Sequence, residues 1–283
     1  MTESQIEDAY LKVLGRAADP DGLAHFKSVT EAYRLTHGRL MHILADSDEF
    51  KARSETDQAA ARTIIEACSH PSEAAHWFHS ITLPDGHVTN GVEILGSEDP
   101  EDMIFKYPIE GKTVLDIGAW DGYFSFAAEQ RKASDVLATD WYCWDGPGWG
   151  TKAGFDFAHQ RFNSKVRSAS LDVFSLDPKL HGTFDVVLFT GVLYHLPDPL
   201  GGLRIAASMC SDHLVVSSAT LNASDDRPIM EYAEGVDGDA TTYWLPNPAC
   251  IIAILKQNGF RTFEIIESIG TPTRPRHIVH AWR

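Results

Sequence analysis

Residues Val114–Phe126, VLDIGAWDGYFSF, constrain this chain more than any other stretch. An apolar strand runs through Asp116 into a short glycine loop, Gly118–Gly122. The first turn of an amphipathic helix follows at once. Such a strand–loop–helix unit carries backbone N–H groups close to a ligand, and a side chain at either glycine would hinder that approach. Downstream, strand and helix signals alternate. Strands are expected at Thr113–Ile117, Val136–Thr139, Val166–Ser168, Phe184–Phe189, Leu214–Ser217, Phe263–Glu267 and Ile278–Trp282. Helices are expected at Tyr123–Arg131, Lys152–Phe162, Asp198–Met209 and Asn247–Asn258, the last two opening on Asp-Pro and Asn-Pro. Alternation on this scale implies an α/β fold with a doubly wound, seven-stranded Rossmann-like sheet.

Residues 1–68 carry helical periodicity and no strand signal, so an N-terminal all-helical domain is expected. Its first helix, 5–14, ends at Gly15, and Asp19-Pro20-Asp21-Gly22 is a strong turn signal. The second helix places Leu23, Phe26, Val29 and Tyr33 on one face. Residues 69–112 form a connector rich in Pro, Gly and His, and connectors of that length are often functional. It is expected to reach the mouth of the site in the domain 113–283. The 221–246 excursion in that domain reads as a lid or recognition insert.

With 40 acidic against 24 basic residues the formal net charge is −16. That balance opposes a polyanionic partner, since nucleic-acid binding rests on displacing counterions from a basic face. A neutral small molecule or a glycan fits better. No apolar run is long enough to span a membrane. The polar, acidic start MTESQIEDAY is not a signal peptide, and four scattered cysteines give neither a disulfide framework nor a zinc motif. A reducing cytoplasm is the expected location.

Ligands of such a sheet bind beyond the carboxyl ends of its strands. Acids recur there: Asp116 on the first strand, Asp140 after the second, Asp172 after the third. A carboxylate at Asp140 suits a ribose diol. Asp172, followed by apolar Val173, suits an adenine amine and ring. A dinucleotide is disfavoured, because Trp120 stands where GxGxxG needs its middle glycine, and no P-loop lysine is present. Asp145, Asp237 and Asp239 lack ligand spacing, so no metal is expected.

Three segments together, Asp116-Ile-Gly-Ala-Trp-Asp-Gly122, Thr139-Asp140 and Gly191-Val-Leu-Tyr-His-Leu-Pro-Asp-Pro-Leu200, resemble the motifs of class I S-adenosylmethionine (SAM)-dependent methyltransferases. Within that group the chain resembles the DUF1698 branch, through the GVLYHL segment, the WxHxI…G connector at Trp77–Gly91, and Tyr243–Asn247 before a helix ending in Gly259-Phe260. The resemblance covers about residues 75–283. It implies a methyltransferase sheet with SAM as cofactor. Gly118 and Gly122 would border the methionine moiety, Asp140 the ribose, and Asp172 with Val173 the adenine. Asp116, Ala119, Trp120 and Trp141 would complete the cofactor wall. Thr190, Gly191 and the residues to Tyr194 would line the transfer face. Separately, Tyr10–Leu23 with Ser47–Phe50 resembles the DUF4214 helical module of bacterial glycan- and surface-related proteins. That module is either a cap on the catalytic domain or on a second subunit, hence a route to a homo-oligomer, or a recognition unit for a carrier or glycan.

Methyl transfer to a hydroxyl needs a positioned base. His195 is the first candidate; its alternative role is a hydrogen bond that pins the loop before Pro197. His79 and Glu231 follow, with Tyr194 positioning sulfonium or acceptor. Trp77, His79, Trp144, Tyr194, Tyr243 and Trp244 are expected on the acceptor. Arg276 is expected there too, matching a late arginine that greets the extra carboxylate of carboxy-SAM in a branch relative, the tRNA wobble-uridine enzyme. The expected activity is O-methylation of a sugar hydroxyl or similar polar small molecule. The alternatives are tRNA wobble-uridine (carboxy)methyl transfer, or glycan binding on a relic fold.

Overall fold

The computed structural model describes residues 1–33, 35–92, 99–148, 151–221, 227–236, 238–268 and 275–283. The chain divides into two compact units, Met1–Leu95 with Asp156–Phe162, and Gly96–Phe155 with Asn163–Arg283. Helices run in the order α1 (Glu3–Leu14), α2 (Pro20–Tyr33), α3 (His37–Asp46), α4 (Asp48–Lys51), α5 (Glu55–Cys68), α6 (Glu101–Ile104), α7 (Tyr123–Gln130), α8 (Ala153–Phe162), α9 (Pro178–His181), α10 (Pro199–Met209) and α11 (Pro248–Gln257). Strands are β1 (Thr113–Ile117), β2 (Asp135–Thr139), β3 (Arg167–Ala169), β4 (Phe184–Thr190), β5 (Cys210–Ala219), β6 (Met230–Tyr232), β7 (Trp244–Pro246), β8 (Thr262–Ser268) and β9 (Arg276–Trp282).

In the first unit, Thr2 and Gln5 form a reciprocal capping box, so α1 begins two residues earlier than periodicity alone indicates. Gly15 closes it at φ 70°. The Asp19-Pro-Asp-Gly turn signal is a helix start instead: Asp19 Oδ1 accepts from the Gly22 N–H at 2.8 Å, and Pro20 opens α2. Ile6, Tyr10, Phe26, Leu40, Phe50 and Ile65 meet in one apolar core. Residues 69–92 fold on themselves. Trp77 Nε1 donates to the Ser72 carbonyl at 2.8 Å, the Ile81 N–H donates to Thr89 Oγ1 at 2.7 Å, and a β-bridge joins Thr82 to Val88.

The second unit is built on a seven-stranded sheet of order β3-β2-β1-β4-β5-β9-β8. From β3 to β5 the strands are parallel; β9 runs antiparallel to both β5 and β8. The order reverses between β1 and β4. That reversal is the topological switch point, beyond whose strand ends open α/β sheets bind their ligands. Leu115, Val187, Phe189, Leu214 and Val216 bury the centre of the sheet against α10 and α11 through Leu203, Ala206, Ile251 and Leu255. The excursion after β5 contains the short antiparallel hairpin β6–β7, in which Glu231 faces Leu245. Asp237 of this excursion and Trp149 of the aromatic-rich loop after β2, residues 141–149, lie outside the described residues.

Candidate active site

The reversal point sets the site. On the β1 side the glycine loop is lashed to β2, because the Gly118 and Ala119 N–H groups both donate to the Thr139 carbonyl, at 2.8 and 3.0 Å. Asp140 is the next residue. It is 6% exposed. Its Oδ2 accepts from the Trp120 N–H at 3.0 Å and its Oδ1 from the Cys143 N–H at 2.9 Å. Burial raises its pKa above the ordinary carboxylate range, and those two backbone donors partly offset the rise. Asp140 thus shapes the loop, and each of its oxygens can accept more than one hydrogen. Trp120 takes a left-handed conformation, φ 49°, which a bulky residue adopts only under constraint. The constraint is visible: Asp140 takes its N–H, and Trp144 Nε1 donates to its carbonyl at 2.6 Å.

Gly118 and Gly122 have φ 81° and 84°. A Cβ on Gly118 would overlap Val192 Cγ2, and one on Gly122 would meet Phe126 and Phe155 at 2.6 and 2.7 Å. The loop is therefore wedged between the β4 side and the aromatic floor of the unit. Gly191 follows β4 at φ 70°, and the nearest heavy atom to a Cβ there is Tyr194 Oη at 4.0 Å. This is an open backbone face opposite the Gly118 loop. A buried acid after β2 and glycine backbone after both β1 and β4 lie at the switch point, and their chemistry fits an adenosyl ligand.

Several expected residues have other work. Asp116 is buried behind the loop, where its Oδ2 accepts from Ser125 Oγ at 2.6 Å and joins β1 to the start of α7. Val173 packs into the core, and the exposed apolar neighbour of Asp172 is Phe174. The reason is local: Asp172 Oδ1 caps a single 3-10 turn through the Phe174 N–H at 2.8 Å, and that turn points Val173 inward. Trp144 is buried against Phe155, ring centroids 5.1 Å apart, with Lys152 Nζ 4.7 Å from its ring centre. It backs the glycine loop and cannot serve as an acceptor-stacking platform. Trp141 and Tyr142 of the same loop are 42% and 46% exposed. Burial raises the Tyr142 pKa, and the proximity of Tyr243 and Asp239 adds to the rise. Trp77 and His79 belong to the helical unit, where Trp77 is buried and the His79 carbonyl accepts from Thr89 Oγ1 at 3.1 Å.

Beyond β4 a 3-10 turn, Leu193–His195, carries the transfer-face residues. His195 Nδ1 lies 2.9 Å from the Thr241 carbonyl and 3.0 Å from Thr241 Oγ1. A carbonyl can only accept, so in the neutral ring Nδ1 carries the proton and Nε2 the basic lone pair. Thr241 Oγ1 in turn donates to Asp239 Oδ1 at 2.6 Å. Burial alone would raise the Asp239 pKa, but hydrogen bonds from Thr241 and Thr242 and the nearby His195 bring it below the usual range. Tyr194 is buried with Ala219 and Leu245, and its carbonyl accepts from the Tyr243 N–H at 2.9 Å. Glu231 is exposed on β6, and Trp244 packs edge-on against Tyr232 at 5.1 Å. Asn247 is spent on structure: its side chain caps α11 and donates to the Arg227 carbonyl at 2.7 Å.

Arg276 and Tyr194, both expected at the site, share a cluster with Asp99 and Ser217, which the sequence does not announce. Arg276, 2% exposed, donates through Nη2 to Asp99 Oδ2 at 2.6 Å and through Nη1 to Tyr194 Oη at 3.2 Å. Ser217 Oγ donates to Asp99 Oδ1. Asp99 and Arg276 are 177 residues apart, so no local pattern announces the pair.

A family model described as "Methyltransferase domain" matches residues 99–265. The chain belongs to the methyltransferase domain family. The cofactor of this family is SAM. Most of the helical unit lies outside the matched residues. The tRNA U34 carboxymethyltransferase of Helicobacter pylori (strain Shi470) is 28% identical over 171 residues, 58% of this chain and 62% of that protein. Its namesake in Dichelobacter nodosus (strain VCS1703A) is 31% identical over 167 residues, 58% of this chain and 51% of that protein. The matches thus span only about half to three-fifths of these relatives. Among solved structures, the N-terminal domain of EvdMO1 with S-adenosylhomocysteine (SAH) bound superposes with a TM-score of 0.57 at 22% identity, over 73% of this chain and 91% of that one. The same domain in the presence of SAH and D-fucose gives 0.56 at 21%, with the same coverage. Both share the fold of this methyltransferase domain.

Proposed function

We propose that this protein is a SAM-dependent O-methyltransferase acting on a sugar hydroxyl or a similarly polar, uncharged small molecule. The observation that carries the reading is the pairing of a cradle at Asp140 and Gly118 with a tautomer-fixed histidine, His195, one strand away. SAM supplies an electrophilic methyl group on a sulfonium. The chain's own residues do the rest. Asp140 receives the ribose hydroxyls, Asp172 and Phe174 border the base, and the backbone of Gly118 and Gly191 lies along the amino-acid portion. His195, held through Nδ1 by Thr241, accepts the acceptor's hydroxyl proton on Nε2, and Asp239 steadies the resulting imidazolium through Thr241. Exposed Trp141 and Tyr142 offer flat apolar faces for a sugar ring.

A second reading is supported by the curated relatives, which transfer a carboxymethyl group to U34 of tRNA. The net charge of −16 weighs against a tRNA partner. Incorporation of label from [methyl-³H]SAM, and in parallel from carboxy-SAM labelled in its carboxymethyl group, into nucleotide sugars, free sugars and bulk tRNA tests the choice. Label in a sugar fraction supports the first reading. Label confined to tRNA overturns it.

A further inference from the structure

Asp99 and Arg276 form a buried ion pair beside the proposed transfer face. Arg276 approaches Tyr194 twice, with Nη1 3.2 Å from Oη and its guanidinium carbon 5.5 Å from the ring centre. Tyr194 Oη is also the heavy atom nearest the open face of Gly191. Asp99 accepts from the other terminal nitrogen, Arg276 Nη2, at 2.6 Å and from Ser217 Oγ, and Ser217 lies level with Thr190 in the β4–β5 register. A donor that transfers a carboxymethyl group carries a carboxylate on the very carbon that moves. A site for such a donor needs a cation there whose charge is still to be answered. In this chain that cation already has its carboxylate. A second one would be desolvated next to Asp99, with one guanidinium, among the described residues, between two negative charges.

We propose that Asp99 is the donor-selecting residue of this site: by holding Arg276 in an internal ion pair it admits SAM and rejects carboxy-SAM. The inference rests on the SAM-binding reading above and deepens it. Asp99 acts through Arg276, so the informative readout is a ratio of affinities for two donors, which a general loss of structure would not move.

Titration of the full chain with SAM and with carboxy-SAM supplies that ratio. The wild type should bind SAM on the order of tenfold or more tighter than carboxy-SAM, the discrimination expected from one uncompensated buried charge. Asp99→Asn keeps the shape and removes the charge, and should move the ratio toward carboxy-SAM by on the order of tenfold. Equal or tighter wild-type binding of carboxy-SAM overturns the proposal, and that comparison needs no variant to fold. An unchanged ratio in a folded Asp99→Asn overturns it as well. Binding of neither donor by the wild type removes the cofactor reading itself, and the two failures are thereby told apart.

Discussion

Acidification should unfold this protein through a buried histidine pair. His213 on β5 and His280 on the adjacent β9 are diagonal neighbours in the register, with His213 Nε2 3.0 Å from His280 Nδ1. His280 Nε2 lies 2.9 Å from the Met103 carbonyl, which can only accept. His280 therefore donates there and accepts from His213, and both rings are neutral. A proton added to His280 Nδ1 would set N–H against N–H. His213 is 2% exposed and stacks on Trp282 at 4.6 Å. Burial, helped by His280 and Lys112, lowers its pKa from 6.5 to about 3. The folded state thus refuses a proton that the unfolded chain accepts. This contribution to stability is complete above pH 6.5 and is lost progressively as the pH falls toward 3. Between pH 7 and pH 5 the linkage amounts to about 2 kcal/mol from His213 alone. Burial lowers the His280 pKa too, and its loss adds in the same direction. Equilibrium urea unfolding at pH 7 and pH 5, followed by circular dichroism, should show wild type losing about 2 kcal/mol more than His213→Gln over that interval. Equal losses in the two proteins would refute the reasoning, because the variant's own destabilisation cancels within each pH pair.

Three further outcomes are expected. Gly118→Ala should cost about 1–3 kcal/mol, from its positive φ and the overlap with Val192, and adding Val192→Ala should recover part of that loss in thermal melts. His195→Ala should leave SAM affinity within about twofold of wild type while kcat falls roughly a hundredfold or more; near-wild-type turnover would remove His195 as the base. Asp239→Asn should shift the acidic limb of the kcat–pH profile to lower pH by up to about one unit, because the negative charge that favours the imidazolium is gone; an unmoved limb would disconnect Asp239 from the base.

The central strands β1, β2, β4 and β9 were legible because each is a largely buried apolar run, whereas β3, Arg-Ser-Ala, and the half-exposed edge strand β8 are marked mainly by their place in the strand–helix alternation. Boundaries failed where polarity masked pairing. β5 begins at Cys210, four residues before the apolar run, because Ser211 and Asp212 already lie in the strand directly behind α10. The hairpin β6–β7 was illegible: each strand has three residues, and Pro246 speaks against a strand. The glycine loop and Asp140 were readable as a local pattern with a known physical use. Val173 was misread because a single 3-10 turn has no periodicity from which to tell which of two apolar residues points outward. The Thr241 support of His195 and the Asp99 partner of Arg276 are products of tertiary folding. The connector motif, Trp77, Ile81 and Gly91, reads as functional by composition, yet its polar groups and close backbone approaches are largely consumed within its own fold.

The central claim is that Asp140 and the glycine loop hold SAM. Isothermal titration of the full chain with SAM, wild type against Asp140→Ala, tests it most directly. The wild type should bind SAM saturably. In the variant, affinity should fall roughly tenfold to a hundredfold, the loss expected when charged hydrogen bonds to a diol are removed, with the far-ultraviolet circular dichroism unchanged. Absence of SAM binding by the wild type, or equal affinity in a folded Asp140→Ala, would contradict it.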